Sequence, residues 1–195
     1  MNTSKKGFTL IELLVVIGIL AILATVVIVV LNPAQLFQQG RDSKRVADLA
    51  GLRSAIVLYM ATASSPDLDG SGGAFTCGTH FGATLSGVTT TFVTASTLAQ
   101  GGVFSVAGLG WVPINFSGTT GGSPLGALPR DPSNATTTSP LYYTYSCNNA
   151  SSTFELNANM ESSRYSNGGA DDVESRDGGD NANLYEVGNA PGLAL

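Results

Sequence analysis

Residues 5–13 read Lys5-Lys6-Gly7-Phe8-Thr9-Leu10-Ile11-Glu12-Leu13, and the apolar run opened by Phe8 continues to Leu31, interrupted only by Thr9, Glu12, Gly18 and Thr25. Wound as a helix, Phe8–Leu31 spans about 36 Å, enough to cross the ~30 Å hydrocarbon core of a bilayer with some tilt. Lys5 and Lys6 precede the run, so the positive-inside rule holds the N-terminus in the cytoplasm and sends the remainder outward. Arg41, Lys44 and Arg45 oppose this, but they lie some ten residues downstream and are interspersed with Asp42 and Asp48. A secretory signal peptide has an apolar core of roughly 7–15 residues followed by a small-residue cleavage site, and this run is much longer. A plain single-pass anchor leaves Glu12 unexplained. A carboxylate within such a segment costs about 2.5–3.5 kcal/mol on insertion scales, so it needs a partner.

The stretch Lys5–Leu13 resembles the cleavage and methylation motif of type IV prepilins and type II secretion pseudopilins. The resemblance implies that a membrane peptidase cuts after Gly7 and N-methylates the new first residue, Phe8. Because the cut precedes the apolar helix, that helix survives. Once Phe8 carries a free α-amine, Glu12 lies four residues further on the same helical face. Its carboxylate then pairs with its own amine or with that of a neighbouring subunit, each charge offsetting the other's desolvation. The family implies the intersubunit version, which sets the stagger between subunits. The bland alternative is a carboxylate lying near the lipid headgroups. Cleavage also removes Lys5 and Lys6, the basic flank that holds the segment in the membrane.

The implied fold is α+β: a long N-terminal helix, transmembrane in its lower half, packed by its upper half on a small antiparallel β-sheet head. Residues 1–7 form the leader, 8–31 the transmembrane and filament-core helix, 32–63 an amphipathic upper helix, and 64–195 the head with an acidic, Gly-rich C-terminal loop. Asn32-Pro33 marks a kink, since proline disfavours helix in the residue before it. In residues 34–63, Leu36, Val46, Leu49, Leu52, Ile56, Tyr59 and Met60 recur at helical spacings and predict one buried face. Ser64–Gly73 is a breaker. Thr89–Val93, Val103–Val106 and Trp111–Phe116 read as loop with short strands, and Pro124–Pro132 as a rigid connector resembling the proline loop of pseudopilin heads. The alternations Tyr143/Tyr145/Cys147 and Phe154/Leu156/Ala158/Met160 flank the turn-rich Asn148–Ser152 and predict an antiparallel hairpin whose apolar face covers the stripe of residues 46–60.

The formal charge is −5, with basic residues concentrated before Arg53. From Asp131 onward there are nine acidic residues against Arg164 and Arg176 alone. Such a surface repels phosphate backbones, so nucleic acid is not an expected partner of the head. Cys77 and Cys147, the only cysteines, lack metal-ligand spacing. They read either as a disulfide, once exported to an oxidising compartment, or as two buried apolar thiols.

No cofactor is required, but the resemblance to major pseudopilins implies a structural Ca²⁺, with Asp171, Asp172, Glu174, Asp177 and Asp180 as candidate oxygen ligands. A solvated acidic loop is the alternative, and Asp67–Ser71 is a poorer calcium candidate. Asn115, Asn134 and Asn149 open glycosylation sequons that so Asn/Ser/Thr-rich a chain produces by chance. His80, the only histidine, has no nucleophile placed beside it by sequence, and Trp111 reads as core or as a surface anchor, so an enzyme is not expected.

The reading is therefore a structural subunit of a type IV pilus or a type II secretion pseudopilus. Its expected partners are itself and other pilin-like subunits in a helical filament, the prepilin peptidase, an inner-membrane assembly platform and membrane lipid. It begins in the cytoplasmic membrane, single-pass with the head outside, and ends in a periplasmic or cell-surface filament. The alternative is a membrane-tethered binding or adhesive module, or a minor tip subunit, that shares only the targeting segment.

Overall fold

A computed structural model describes residues 7–70, 75–88, 97–136, 140–190, 192 and 195. It divides into two compact units, with the boundary between Phe37 and Gln38.

The first unit is dominated by α1, Leu10–Leu31. No residue of α1 is buried, which its apolar sequence makes costly in water and favourable in lipid. Asn32 ends it in the left-handed region (φ 40°, ψ 74°). Helix resumes at once as α2, Pro33–Thr62. Proline is suited to this first helical position because its missing N–H would be unsatisfied there. Asn32 O accepts from Gln35 N and Leu36 N. The expected break is thus a single residue wide.

In the second unit, Leu49, Leu52, Ile56 and Tyr59 of α2 are buried, at helical spacings of three and four. Their cover is the central sheet. Its strands are β1 (His80–Ala83), β2 (Thr97–Gly101), β5 (Thr144–Asn148), β6 (Thr153–Ala158) and β7 (Tyr185–Gly188). They run in the order β2-β1-β5-β6-β7. A separate two-stranded ladder joins β3 (Ala135–Thr136) to β4 (Pro140–Leu141). The expected hairpin is β5–β6, in register from Thr144↔Asn157 to Asn148↔Thr153. Tyr143, Tyr145, Cys147, Phe154, Leu156 and Ala158 join the helix residues in one core, with Trp111 and Phe116.

The α+β, pilin-like arrangement expected above is present, with three differences in detail. The sheet is not wholly antiparallel, because β1 and β2 pair in parallel. Val103–Val106 and Trp111–Phe116 form no strand: they bond to each other through Trp111 N to Val103 O and Phe116 N to Val106 O, with an isolated bridge at Ala107 and Asn115 and no continuous ladder. Trp111 is core, fully buried and donating from Nε1 to Pro129 O. It crosses directly over Gly82 of β1, where any Cβ would collide with the Trp111 carbonyl. Leu36 leaves the predicted stripe and is 52 % exposed. Thr89–Val93 lies outside the described residues.

The second face of the sheet is also covered, contrary to the simple alternation of apolar-in and polar-out. Cross-strand partners share a face, which places Phe81 and Ala83 with Thr144, Ser146, Glu155, Asn157 and Glu186. All seven are buried. Phe81, Ala83, Val88, Tyr142 and Leu184 form a second apolar cluster.

Candidate functional site: the N-terminal segment and the charged groups of the head

Gly7 and Phe8 precede the first helical residue, and Phe8 is 84 % exposed. A Cβ on Gly7 would meet nothing within 4 Å. The Gly7–Phe8 bond therefore lies in open chain beside a helix start. Thr9 is the N-cap, with extended backbone (φ −84°, ψ 152°). Glu12 N donates to Thr9 Oγ1 at 3.3 Å, while Glu12 Oε2 accepts from Thr9 N at 2.9 Å and from Thr9 Oγ1 at 2.7 Å. This reciprocal capping box explains how α1 can begin with a carboxylate: the acid satisfies orphan donors and faces the positive end of the helix dipole. Glu12 is thus held one turn into the helix, aimed back at the residue following Phe8. Cutting the Gly7–Phe8 bond would create a cationic amine next to that carboxylate.

Further along α1, Thr25 Oγ1 donates back to Ala21 O, so the helix presents no unsatisfied hydroxyl there. It is long and apolar enough to cross a membrane.

The five acidic residues proposed for calcium are each engaged by the chain itself or turned to solvent. Asp171 accepts from Arg164 Nε and is half-exposed. Asp172 accepts from Gly168 N, Ser175 N and Ser175 Oγ. The Ser175 hydroxyl and the Ser175 and Gly168 amides hold its pKa down to about 2. Glu174 is buried and accepts from Met160 N and Asn167 N, tying the loop to the end of β6. Asp177 accepts from Gly179 N and Glu186 N, and Asp180 is exposed. Among the described residues, no group of three or more carboxylates, histidines or cysteines converges where one metal ion could sit. Three of the five, Asp172, Glu174 and Asp177, accept hydrogen bonds from backbone amides. Asp67 does the same, accepting from Asp69 N and Gly70 N.

Sequence spacing gives no signal for Glu155 and Glu186, on the closed second face of the sheet. Glu155 Oε2 accepts from Leu195 N, Glu155 Oε1 from Asn157 Nδ2, and Glu186 Oε2 from Asn181 N. Burial, reinforced by the charges of Glu186 and Asp180, pushes Glu155 up to about 8. Burial and the charges of Asp177 and Asp180 raise Glu186 to about 7. Folded Glu155 keeps a proton that the unfolded chain releases near its ordinary value of 4.5. The folded state then binds more protons, so stability falls as pH rises between about 4.5 and 8. Glu161 does not blur this window. Burial would raise it, but Arg41, Ser133 and Arg45 outweigh that and hold it near 2. We expect the head to lose on the order of 3 kcal/mol from Glu155 between pH 5 and pH 8. Urea unfolding at both pH values checks this, with Glu155→Gln removing the Glu155 share and leaving the part contributed by Glu186. Equal stability of the unaltered chain at the two values would contradict it.

Cys77 and Cys147 form a disulfide with Cα atoms 4.8 Å apart. His80 accepts from Thr76 N through Nδ1 and lies against the Phe75 ring, a packing role. Of the sequon asparagines, Asn115 accepts from the nearby Ser117 amide and Asn149 from the amide of Leu68, distant in sequence.

Comparison with known proteins agrees with the N-terminal geometry. The model of the prokaryotic N-terminal methylation motif matches residues 2–28. That motif is the signature of type IV prepilins and pseudopilins, and it points to a structural subunit rather than an enzyme. No curated protein and no solved structure matches the chain.

Proposed function

We propose that this chain, which carries the prepilin-type methylation motif, is the precursor of a filament subunit of a type IV pilus or type II secretion pseudopilus. It enters the cytoplasmic membrane through Phe8–Leu31 with the head outside. Prepilin peptidase cleaves after Gly7 and methylates Phe8, and the subunit polymerises with itself or with similar subunits. The observation that carries this reading is the start of α1. An exposed glycine–phenylalanine bond stands beside an exposed, predominantly apolar helix whose one charged side chain, Glu12, accepts from the amide of Thr9, the residue after Phe8.

Before cleavage, Lys5 and Lys6 anchor the N-terminus at the cytoplasmic face, and the Glu12 carboxylate is satisfied by Thr9. Cleavage removes both lysines and leaves an amine on Phe8. Held away from water among neighbouring helices, that amine and a Glu12 carboxylate stabilise each other where neither would be tolerated alone. Membrane extraction and filament order then depend on the same ion pair, while the head's packing is independent of it.

Glu12→Ala separates these steps. The variant is expected to be cleaved normally, because the Gly7–Phe8 bond and its exposure are unchanged. Its yield of sheared filament should fall on the order of tenfold or more, equivalent to ~1.4 kcal/mol of lost pairing per subunit. Normal filament yield would remove the role given to Glu12.

A further inference from the structure

The described residues leave two large apolar side chains exposed just past the end of α1: Leu36, 52 % exposed, and Phe37, 71 % exposed. The packing of the head uses neither. They lie in the first turns of α2, after the break at Asn32 and within the N-terminal unit.

Two features fix how α1 sits in a bilayer, given the membrane insertion proposed above. On the cytoplasmic side, the capping box of Thr9 and Glu12 belongs at the polar boundary, since the carboxylate and the helix-start amides are the most polar groups of the segment. On the other side lies the break. Pro33 has no N–H to continue the α1 ladder, and Asn32 turns left-handed, so the last carbonyls of α1 lose their helical donors. Lipid hydrocarbon offers no substitute donors, whereas headgroups and water do. The break therefore belongs at the outer boundary. The interval Leu13–Asn32, twenty residues, is about 30 Å long as helix, the thickness of the hydrocarbon core. Both ends are satisfied by one register.

The same register sets the depth at which α2 begins. Leu36 and Phe37 stand four and five residues beyond Asn32, about 6–8 Å at 1.5 Å per residue. The headgroup layer extends roughly 5–7 Å beyond the hydrocarbon on each side. The sequence supports the same limit, because no charged residue occurs between Glu12 and Arg41. Pro33-Ala34-Gln35-Leu36-Phe37-Gln38-Gln39-Gly40 is an uncharged mixture of apolar and amide side chains, the composition of a segment at an interface rather than in bulk water.

We infer that residues 33–37 form a second, shallow membrane contact, with Leu36 and Phe37 inserted among the lipid headgroups of the outer leaflet while the subunit is held in the bilayer. The inference rests on the membrane-anchored reading and adds a lipid partner beyond the spanning helix. The contact would be relinquished on extraction, when both side chains become free to meet protein.

The test places single tryptophans in the full chain reconstituted in phosphatidylcholine vesicles brominated either near the headgroup or near the acyl terminus. Trp111, fully buried in the head, contributes a constant background. Leu20→Trp reports the span, Phe37→Trp the proposed contact, and Leu36→Trp repeats the reading should Phe37→Trp fold poorly. The ratio of shallow to deep quenching is expected to exceed one at positions 36 and 37 and to fall below one at position 20. Deep quenching at 20 with no quenching at 36 and 37 overturns the interfacial contact and leaves the membrane anchor standing. Deep quenching at 36 and 37 overturns the register. Absence of quenching at all three positions overturns the membrane reading and the inference with it.

Discussion

Replacing Arg45 with alanine lowers the stability of the head by roughly 3–5 kcal/mol, the cost of removing one member of a buried ionic group. Arg45 is fully buried, in contact with acidic groups from three separate parts of the chain. Its Nε and Nη2 donate to the two oxygens of Asp131 at 2.7 and 3.0 Å, its Nη1 to Asp42 Oδ1 at 2.7 Å, and its Nη2 also to Glu161 Oε1 at 2.5 Å. The carboxylates are themselves tied to backbone: Asp131 accepts from Ser133 N and Asn134 N, and Asp42 from Glu161 N and Ser162 N. One guanidinium thus joins α2, the proline loop and the chain leaving β6. Without it, three carboxylates face one another with only the partly exposed Arg41 as counter-charge. Arg45→Lys should recover only part of the loss, since a single ammonium cannot reproduce the forked donation to Asp131. Lys44→Ala is the internal control: its exposed pair with Asp48 contributes about 0.3–0.5 kcal/mol. Urea unfolding of the three variants checks the ranking, and an Arg45→Ala loss as small as that of Lys44→Ala would contradict it.

The second large effect comes from the disulfide. Cys77 and Cys147 are 70 residues apart, and closing a loop of that length removes about 4 kcal/mol of unfolded-chain entropy. Cys147 lies in β5 within the core, and Cys77 precedes β1, so the link fastens the start of one strand to the end of its neighbour. The variant Cys77→Ser, Cys147→Ala should shift the urea midpoint downward by an amount equal to that produced by reducing the unaltered protein. A shift below ~1 kcal/mol would mean that the loop is already constrained without the bond. The bond requires an oxidising compartment, so it accords with a head exported beyond the membrane.

Much of this arrangement can be read from the sequence, where local chemistry decides structure. The break is written as Asn32-Pro33 and the β5–β6 hairpin as alternation on either side of a turn, whereas the capping box of Thr9 and Glu12 emerges only from the structure. By residue type, the predicted buried face of α2 runs from Leu36 to Val46 and passes over Asp42 and Arg45, because they are charged. Their positions nevertheless belong to the same row as Leu49, Leu52, Ile56 and Tyr59, at intervals of three and four. Periodicity therefore carries the signal that these charges are buried, and residue type obscures it. Glu155 and Asn157 mislead in the same way. They alternate with apolar neighbours as solvent-facing residues would, yet both are buried on the second face of the sheet. The parallel pairing of β1 with β2 is set by non-local contacts of short strands, which carry little pattern of their own.

At the candidate site, the stretch that singles out Gly7, Phe8 and Glu12 falls within the matched methylation motif of residues 2–28, because such a motif is a property of contiguous residues. Local reading does not resolve the acidic loop. Five carboxylates within ten residues fit an ion or a set of amide caps equally well in sequence, and only the fold shows which amides Asp172, Glu174 and Asp177 face.

The central claim is tested most directly by mass spectrometry of the N-terminal peptide from membrane and sheared-surface fractions of cells expressing the full chain. Processing and assembly predict a peptide beginning at N-methylated Phe8 in the sheared fraction. A chain still beginning at Met1 in both fractions, or one cut beyond Ala24, would contradict it.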